Sequence, residues 1–253
     1  KMDGTSIDPS GIGGVRSNRV VNVESGLPPM EKDRTLKGRI AVVGYGPSLN
    51  KTWERLRDFD TIITVSKAHD YLVDRGIIPT IHMDLDQREH KVGFLNKPQR
   101  ATRYLLSTHV HPTYVTKLKA AGVDVRMFHV GIDPKEHHDP RYPVSKVRFD
   151  AGLQAAEIAF QRGHREQHWF GIDYSREGQA THAGFHGGVV TDNCLADLGN
   201  GRLFGSTKMF IHGLMLAEEF LCDRALVRCT IHGDGLLGHF LKVRGRVRLA
   251  INP

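Results

Sequence analysis

Acidic and histidine side chains follow several apolar segments of this sequence. Asp173 comes directly after QHWFGI, and Thr181 and His182 stand in the glycine-rich stretch that follows. A carboxylate at the end of a strand and a histidine in a nearby loop can supply a general base and an anion contact, because histidine exchanges protons near neutral pH. Asp173 and His182 are therefore the candidate catalytic residues.

A second acidic pattern, Asp84 and Asp86, lies at the end of the apolar segment PTIHMD. Alternate carboxylates at a strand end can hold a divalent cation that bridges the diphosphate of a nucleotide, since Mg²⁺ commonly uses one or two carboxylates together with substrate oxygens. A DxD pattern is typical of metal-dependent glycosyltransferases that use nucleotide sugars. The pair predicts a Mg²⁺ or Mn²⁺ site, and a solvated loop is the alternative.

The segment GYGPSLN follows the first apolar run and contributes Gly44, Gly46, Pro47 and Ser48. A turn of small residues that opens a helix can present backbone N–H groups to a phosphate, with help from the helix dipole. It is not a P-loop, because GxxxxGK[ST] is missing, and Leu49 stands where a dinucleotide fingerprint needs its third glycine. The turn is a candidate site for donor phosphate; a plain turn with Ser48 as helix N-cap is the alternative.

Further candidates for binding the nucleotide donor lie at the ends of other apolar segments. Lys67 follows TIITVS, where NAD-binding proteins carry an acidic residue for the ribose, so NAD chemistry is not expected. Gly152 comes after Asp150 at the start of a predicted helix and can meet a phosphate or belong to an ordinary cap. Gly233 and Asp234 in HGDG allow close approach of a ligand to the backbone, and a simple turn is the alternative.

Apolar, β-branched runs alternate with helical patterns along the chain and thereby supply the elements that must position these residues. This alternation predicts an α/β, Rossmann-like fold with a mostly parallel sheet and helices on both faces. In such sheets ligands bind at the carboxyl ends of the strands. The predicted strands are 39–44, 61–66, 79–84, 103–108, 124–130, 167–172 and 225–231, and the predicted helices 50–58, 67–75, 112–121, 151–162 and 206–222.

Composition excludes several classes of protein. The chain has 253 residues, of which 40% are hydrophobic and 25% charged, as in an ordinary globular domain. No segment approaches the roughly 18 consecutive apolar residues of a membrane span, and the N-terminus lacks the apolar core of a signal peptide. Three cysteines without a CxxC pair argue against a disulfide framework and a thiolate zinc site. We expect a cytoplasmic, intracellular protein without a membrane partner.

The chain divides into two predicted parts. Residues 1–37 are rich in Gly, Ser, Pro and charge without a sustained apolar period, which predicts an N-terminal arm or an extended edge segment. Residues 38–253 are predicted to form a single Rossmann-like domain that binds a nucleotide. No internal repeat is apparent.

Four segments in order, VVGYGPSLN, TVSKAHDYLVDRGIIPTIHMDLD, FGIDYSREGQATHAG and CTIHGDG, resemble the MptE-like 6-hydroxymethylpterin pyrophosphokinase family. The superfamily includes the central domain of flagellar motility accessory factors and is similar to small bacterial sialyltransferases. The resemblance covers residues 38–240 and implies a nucleotide bound at the GPSL loop. It further implies that Ser66 lies beside the nucleoside, that Asp84 belongs to the donor or metal site, and that Asp173 and His182 line the reacting centre.

The resemblance leaves the reaction open, because the family includes pyrophosphoryl transfer from ATP to a pterin and glycosyl transfer from activated sugars. The second acid, Asp86, stands where a non-acidic residue is expected and favours a nucleotide-sugar-dependent glycosyltransferase, with a UDP-sugar as the favoured donor. The alternatives are an ATP-dependent 6-hydroxymethylpterin pyrophosphokinase and a non-catalytic module that binds a nucleotide or nucleic acid.

Positive charge favours anionic partners beyond the nucleotide donor. The net charge is +7 with histidines neutral, and the isoelectric point is about 9.4. Basic clusters can follow a phosphate backbone, so DNA with a hydroxymethylated base, or another polyanion, is a candidate acceptor; solvated surfaces are the alternative. The clusters are KGR (37–39), KPQR (97–100), RGHR (162–165) and KVRGRVR (242–248).

Overall fold

The fold was analysed in a computed structural model, which describes residues 9–31, 38–131, 139–146, 150–184, 193–199, 201–246 and 248–250. Nine strands of the described residues form one sheet in which all neighbouring strands are parallel, and two more form an antiparallel pair. The strands are β1 (Arg39–Val43), β2 (Ile62–Val65), β3 (Ile81–Asp84), β4 (Arg103–Ser107), β5 (Asp124–Gly131), β6 (Val144–Lys146), β7 (Glu166–Phe170), β8 (Asn193–Asp197), β9 (Leu203–Thr207), β10 (Arg228–His232) and β11 (Arg248–Ala250).

The order of the strands contains a reversal that fixes where a ligand can bind. Across the sheet the order is β11, β10, β7, β1, β2, β3, β4, β5, β6. The chain builds outwards from β1 to β6 and then returns to the other side of β1 with β7. In open α/β sheets the crevice at such a reversal, at the carboxyl ends of the strands, is the usual ligand site.

Helices cover both faces of the sheet, which confirms the predicted α/β Rossmann-like class. Ile40 and Val42 belong to an apolar cluster with residues of α5, α6 and α7. Ala41 and Val43 point to the other face and pack with residues of α2 and α3. The helices are α1 (Pro9–Glu24), α2 (Leu49–Thr52), α3 (Ala68–Val73), α4 (Pro112–Ala120), α5 (Ala151–Gln161), α6 (Lys208–Asp223) and α7 (Leu236–Val243), with 3₁₀ helices at Trp53–Asp58 and Glu89–Phe94.

The N-terminal segment differs from the predicted arm in the part that the structure describes. It contains the helix α1, and the side-chain amide of Asn22 donates to the carbonyl of Val110 at 2.7 Å. Met30 is buried, and its N–H donates to the carbonyl of Met127 at 2.7 Å. These contacts are distant in sequence, so the weak apolar pattern of the segment itself does not reveal the helix. The single domain over 38–253 stays a prediction.

The expectation about membranes rested on the lack of a long apolar segment. Of the helices in the described part of the chain, none has both the length and the apolar character that crossing a bilayer requires.

Close backbone contact locks the loop after β1 to the loop after β7. The N–H of Gly44 donates to the carbonyl of Phe170 at 2.8 Å, and the N–H of Gly46 donates to that of Gly171 at 2.7 Å. A Cβ on Gly44 would lie 2.5 Å from the Gly171 oxygen. Only glycine fits at these positions, because the contact is with backbone that cannot rotate away.

This contact predicts unequal effects for two similar substitutions. Gly171 (φ +59°) would place a Cβ 2.7 Å from the Gly44 oxygen, whereas Gly76 (φ +70°) has nothing within 4 Å. Gly76→Ala is expected to cost about 1 to 2 kcal/mol for the left-handed backbone alone, and Gly171→Ala clearly more. Urea unfolding of both variants measures the difference. Equal losses would show that the two loops are not locked together.

Candidate functional site

The carboxylate of Asp173 joins the two central loops of the sheet. The backbone N–H of Ser48 donates to Asp173 Oδ2 at 2.8 Å, and the Ser48 hydroxyl donates to Oδ1 at 2.5 Å. The carbonyl of Asp173 accepts the N–H of Leu237, in the first turn of α7, at 2.9 Å. Asp173 therefore ties together the segments after β1, β7 and β10.

Burial changes the acid strength of Asp173. Its pKa is raised from 3.8 to about 6: desolvation and the charges of Glu177 and Asp234 raise it, and the hydrogen bonds from Ser48 lower it. A carboxylate with this pKa is a stronger base than an ordinary aspartate and is still mostly ionised at neutral pH. Each oxygen keeps a lone pair for another donor, since a carboxylate accepts about four hydrogen bonds. Asp173 can therefore accept a proton from a bound hydroxyl.

A cavity of about 180 Å³, here called the inner cavity, lies at the reversal in strand order. It is enclosed by the loops after β1, β2 and β7 and by the start of α5. Many of the residues singled out in the sequence come together in its lining, namely Gly44, Gly46, Ser66, Gly152, Asp173 and His182.

The inner cavity also contains unusual backbone conformations. In the described residues, the non-glycine positions with positive φ are Ser66 (+53°) and Tyr174 (+50°), and both line this cavity. Such conformations cost of order 1 kcal/mol or more and concentrate at functional sites. The Tyr174 hydroxyl donates to Asp150, whose other oxygen accepts the N–H of Leu153 at 2.8 Å and caps α5. These bonds fix the wall of the cavity.

His182 is held by a loop that folds back over the first strand. The N–H of the next residue, Ala183, donates to the carbonyl of Tyr45 at 2.8 Å. The His182 ring lies 6.0 Å from the Tyr45 ring, and the Thr181 hydroxyl lies 2.9 Å from His182 Nδ1. The tyrosine between the two glycines of GYG thus supports His182.

Two lysines contribute positive charge near His182. The amino groups of Lys67 and Lys91 lie 4.5 Å and 4.4 Å from the centre of the Phe94 ring. Burial lowers the pKa of His182, and the charges of Lys91 and Lys67 lower it further. His182 is therefore neutral at pH 7. Lys67, which the sequence suggested as a donor contact, lies near the histidine but does not line the inner cavity.

A second cavity of about 390 Å³, here called the outer cavity, lies on the other side of Asp173. The remaining residues suggested for the donor line this cavity, namely Pro47, Ser48, Gly233 and Asp234. Asp173 and Ser175 line both cavities. The predicted site residues therefore fall into two groups that meet at Asp173.

The HGDG turn packs closely against Ser48. Gly233 has φ +115°, and a Cβ there would lie 2.5 Å from the Ser48 hydroxyl. The carboxylate of Asp234 is already engaged, because Arg202 Nη1 donates to its Oδ1 at 2.8 Å and His239 Nε2 lies 2.7 Å from the same oxygen. The turn shapes the outer cavity through its backbone.

The residues of the DxD pattern do not fit a preformed metal site. β3 ends at Asp84, whose Oδ1 accepts the N–H of Asp86 at 2.9 Å. Asp86 accepts Arg88 Nε at 2.9 Å and Nη2 at 2.6 Å, and Lys91 lies 3.6 Å away. Within the described ranges, no three His, Cys, Asp or Glu side chains are grouped to hold a metal ion. The binding of Mg²⁺ or Mn²⁺ by Asp84 and Asp86 stays a prediction.

The basic clusters lie at the opposite edge of the sheet. Each precedes a parallel strand, so Arg39, Arg100, Arg165 and Arg246 all lie near the amino ends of β1, β4, β7 and β11. Lys37 is outside the described residues. A strand of five residues spans about 16 Å, which separates this edge from Asp173. The clusters therefore give no support to a polyanion as the group that reacts at Asp173.

Several residues of the site carry no signal in the sequence. Tyr45 and Tyr174 look like ordinary core tyrosines, and the left-handed backbone of Tyr174 cannot be inferred from its type. Ser175 accepts the N–H of Leu236 at 3.0 Å, a contact between distant segments. Arg176 could have been suggested only as a charge close to Asp173.

Comparison with known proteins shows the family of the chain. Residues 18–179 match the model of the family described as 6-hydroxymethylpterin diphosphokinase MptE-like. The chain belongs to this MptE-like family, which confirms the resemblance of its sequence motifs. No curated protein is significantly similar to the chain.

Solved structures agree with the fold. The MAf glycosyltransferase from Magnetospirillum magneticum AMB-1 superimposes with a TM-score of 0.69 at 16% identity, over 94% of this chain. The chain spans only 37% of the length of that protein. A mammalian sialyltransferase in complex with Gal-beta-1-3GalNAc-ortho-nitrophenol matches at 11% identity, over 84% of this chain and 78% of its own, with a TM-score of 0.44. The first match shows a shared fold, and the second is too weak for an argument.

The buried Asp84 predicts a dependence of stability on pH. Burial raises its pKa from 3.8 to about 6. Between pH 3.8 and about 6, Asp84 is deprotonated in the unfolded chain and still protonated in the folded one. The free energy of unfolding therefore falls as the pH rises through this range. The amide of Asp84→Asn cannot ionise and can still accept the Asp86 N–H. We expect the variant to be more stable than the wild type at pH 7 by about 3 kcal/mol.

Urea unfolding of both proteins between pH 4 and pH 7 measures this difference. Part of the pH dependence is expected to remain in Asp84→Asn, because the pKa of Asp173 is raised in the same way. Identical pH dependence in the two proteins would contradict the assignment to Asp84.

Proposed function

We propose that this protein is a glycosyltransferase that uses a nucleotide sugar, with the diphosphate of the donor at the inner cavity and the acceptor in the outer cavity. The observation that carries the proposal is the position of Asp173 between two cavities, with its carboxylate held by Ser48. A base placed between two binding sites suits the transfer of a group from one ligand to another. A UDP-sugar is the favoured donor.

The inner cavity suits an anionic donor. Gly44, Gly46 and Gly152 line it without side chains, and Gly152 lies in the first turn of α5, a helix of 11 residues. The N-terminus of a helix favours phosphate, and here Asp150 already accepts one of its N–H groups. Lys67 and Lys91 add positive charge on the side of His182. Ser48 remains a predicted donor contact, although its N–H and hydroxyl both bind Asp173 in this structure.

The proposed reaction needs one base and a stabilised leaving group. A hydroxyl of the acceptor attacks the anomeric carbon of the donor sugar while its proton passes to Asp173. The new carbon–oxygen bond replaces the bond to the nucleotide phosphate, which departs with the electron pair. Neutral His182 and the two nearby lysines are placed to stabilise that phosphate.

A pyrophosphokinase is the second candidate, favoured by the description of the family. It would transfer a diphosphate from ATP to 6-hydroxymethylpterin and release AMP. The ring of Tyr45 lies 6.0 Å from His182 and 5.7 Å from the ring of Tyr71, and would offer a flat pterin an aromatic contact. A non-catalytic nucleotide-binding or nucleic-acid-binding module is the third.

Two finer assignments belong to the proposal. An enzyme that uses cytosolic nucleotide sugars would work in the cytoplasm. A hydroxymethylated base in DNA would have to leave the duplex to reach Asp173, and the position of the basic clusters at the amino edge does not favour this acceptor.

Ligand binding distinguishes the candidates. We expect one of a set of UDP-, GDP- and CMP-sugars to raise the melting temperature of the wild type, because a ligand of the native state stabilises it. Each is tested with and without Mg²⁺ or Mn²⁺, and a requirement for either ion would support a metal at Asp84. Stabilisation by ATP alone, with AMP released from ATP when a pterin alcohol is present, would establish the pyrophosphokinase. No response to any nucleotide would contradict both enzymes.

Turnover tests the role of Asp173 itself. The assay uses the donor identified by the melting temperatures. Asp173→Asn is expected to lower kcat at least 100-fold, which is a typical contribution of a general base. The donor should still raise the melting temperature of this variant. The control is Glu166→Gln at the amino edge of β7, which should keep wild-type turnover. Full activity in folded Asp173→Asn would refute the proposed base.

The pKa of the base predicts a pH profile. Asp173, with a pKa of about 6, must be ionised to accept a proton, so kcat/KM should fall as the pH drops below about 6. The pKa of Asp84 is also raised to about 6, so the profile is repeated on Asp84→Asn. Retention of the acidic fall in that variant would assign it to Asp173, and its loss would assign it to Asp84.

A further inference from the structure

Four of the six charged side chains that line the outer cavity form ion pairs with one another. Lys51 forms an ion pair with Glu177, and Arg202 forms one with Asp234. Among the described residues, the guanidinium of Arg176 has no carboxylate partner. The outer cavity is therefore lined by one cation and one carboxylate that are not in an ion pair, Arg176 and Asp173.

Arg176 is held in place by its backbone and by its position against β9. Its N–H donates to the carbonyl of Gly205 at 2.8 Å. A Cβ on Gly205 would lie 3.2 Å from Arg176 Nη2, so the glycine leaves space for the guanidinium. The Nε atom is buried and has no hydrogen-bond partner in the described part of the chain. The accessible part of the guanidinium can still donate to an oxygen of a ligand in the cavity.

We propose that Arg176 binds an acidic group of the acceptor, so that the acceptor is a small hydroxyl compound carrying a carboxylate or a phosphate. The inference rests on the proposed function, because it takes the outer cavity as the acceptor site. Arginine suits both groups, since its planar fork matches two oxygens at once. The volume of about 390 Å³ lies in the range of small-molecule sites.

The other charges fix the orientation of such an acceptor. Asp173 repels an anion and Arg176 attracts it, whereas Glu177 and Asp234 are each paired with a cation. The acidic group must therefore lie at Arg176 and the uncharged hydroxyl at Asp173. A neutral acceptor such as a pterin alcohol would leave Arg176 unpaired, so the charge of the acceptor also distinguishes the two candidate enzymes.

Equilibrium binding tests the assignment without turnover. Titration calorimetry compares glucuronate, glucose 6-phosphate and neutral glucose as probes of the carboxylate, the phosphate and the uncharged form. At least one acid is expected to bind the wild type ten times more tightly than glucose. Arg176→Gln should lose this advantage, and Arg176→Lys should keep part of it. The matched control is Arg100→Gln at the amino edge, which should bind as the wild type does.

Each outcome decides the proposal. Equal binding of glucose and both acids to the wild type, no binding of either acid, or undiminished binding to folded Arg176→Gln would overturn it. Thermal shift with the nucleotide donor is measured on the same variants and is expected to be unchanged by Arg176→Gln. If the wild type does not bind the nucleotide donor, the proposed function is contradicted. This outcome differs from failure of the Arg176 assignment, in which the wild type still binds the donor.

Discussion

The pair of hydrogen bonds between Ser48 and Asp173 is the interaction on which the site depends. It connects the first strand of the sheet to the strand that returns beside it, at the reversal of strand order. The same aspartate receives the first turn of α7 through its carbonyl. Glycines on both sides allow these segments to approach within backbone contact. Both cavities owe their common wall to this junction.

The sheet was predictable because strands covered on both faces are short continuous apolar runs. RIAVV in β1 and IITV in β2 are of this kind, and each lies within one residue of its predicted bounds at either end. Several elements that the sequence analysis did not predict are stabilised by contacts with distant segments or lie at the edge of a sheet. α1 is held by asparagine side chains that bind the loop after β4, β6 and β11 have three residues each, and β8 alternates between exposed and half-buried side chains.

From the sequence, the site could be predicted only as a set of residues that directly follow strands. That rule predicted that Asp173 and His182 lie close together, because the carboxyl ends of parallel strands share one edge, and both line the inner cavity. It could not find which groups bind each other: the N–H of Ser48, expected for a phosphate, binds Asp173 instead. Nor could it separate the donor residues into two cavities or detect the left-handed backbone of Ser66, since both follow from packing between segments far apart in sequence.

A buried base must remain ionised to function, and burial opposes this. Desolvation raises the pKa of Asp173, because burial favours the protonated carboxyl. The two hydrogen bonds from Ser48 act in the opposite direction and keep the pKa at about 6. The interaction that joins the loops therefore also sets the acid strength of the base, so the fold and the proposed chemistry share one pair of hydrogen bonds.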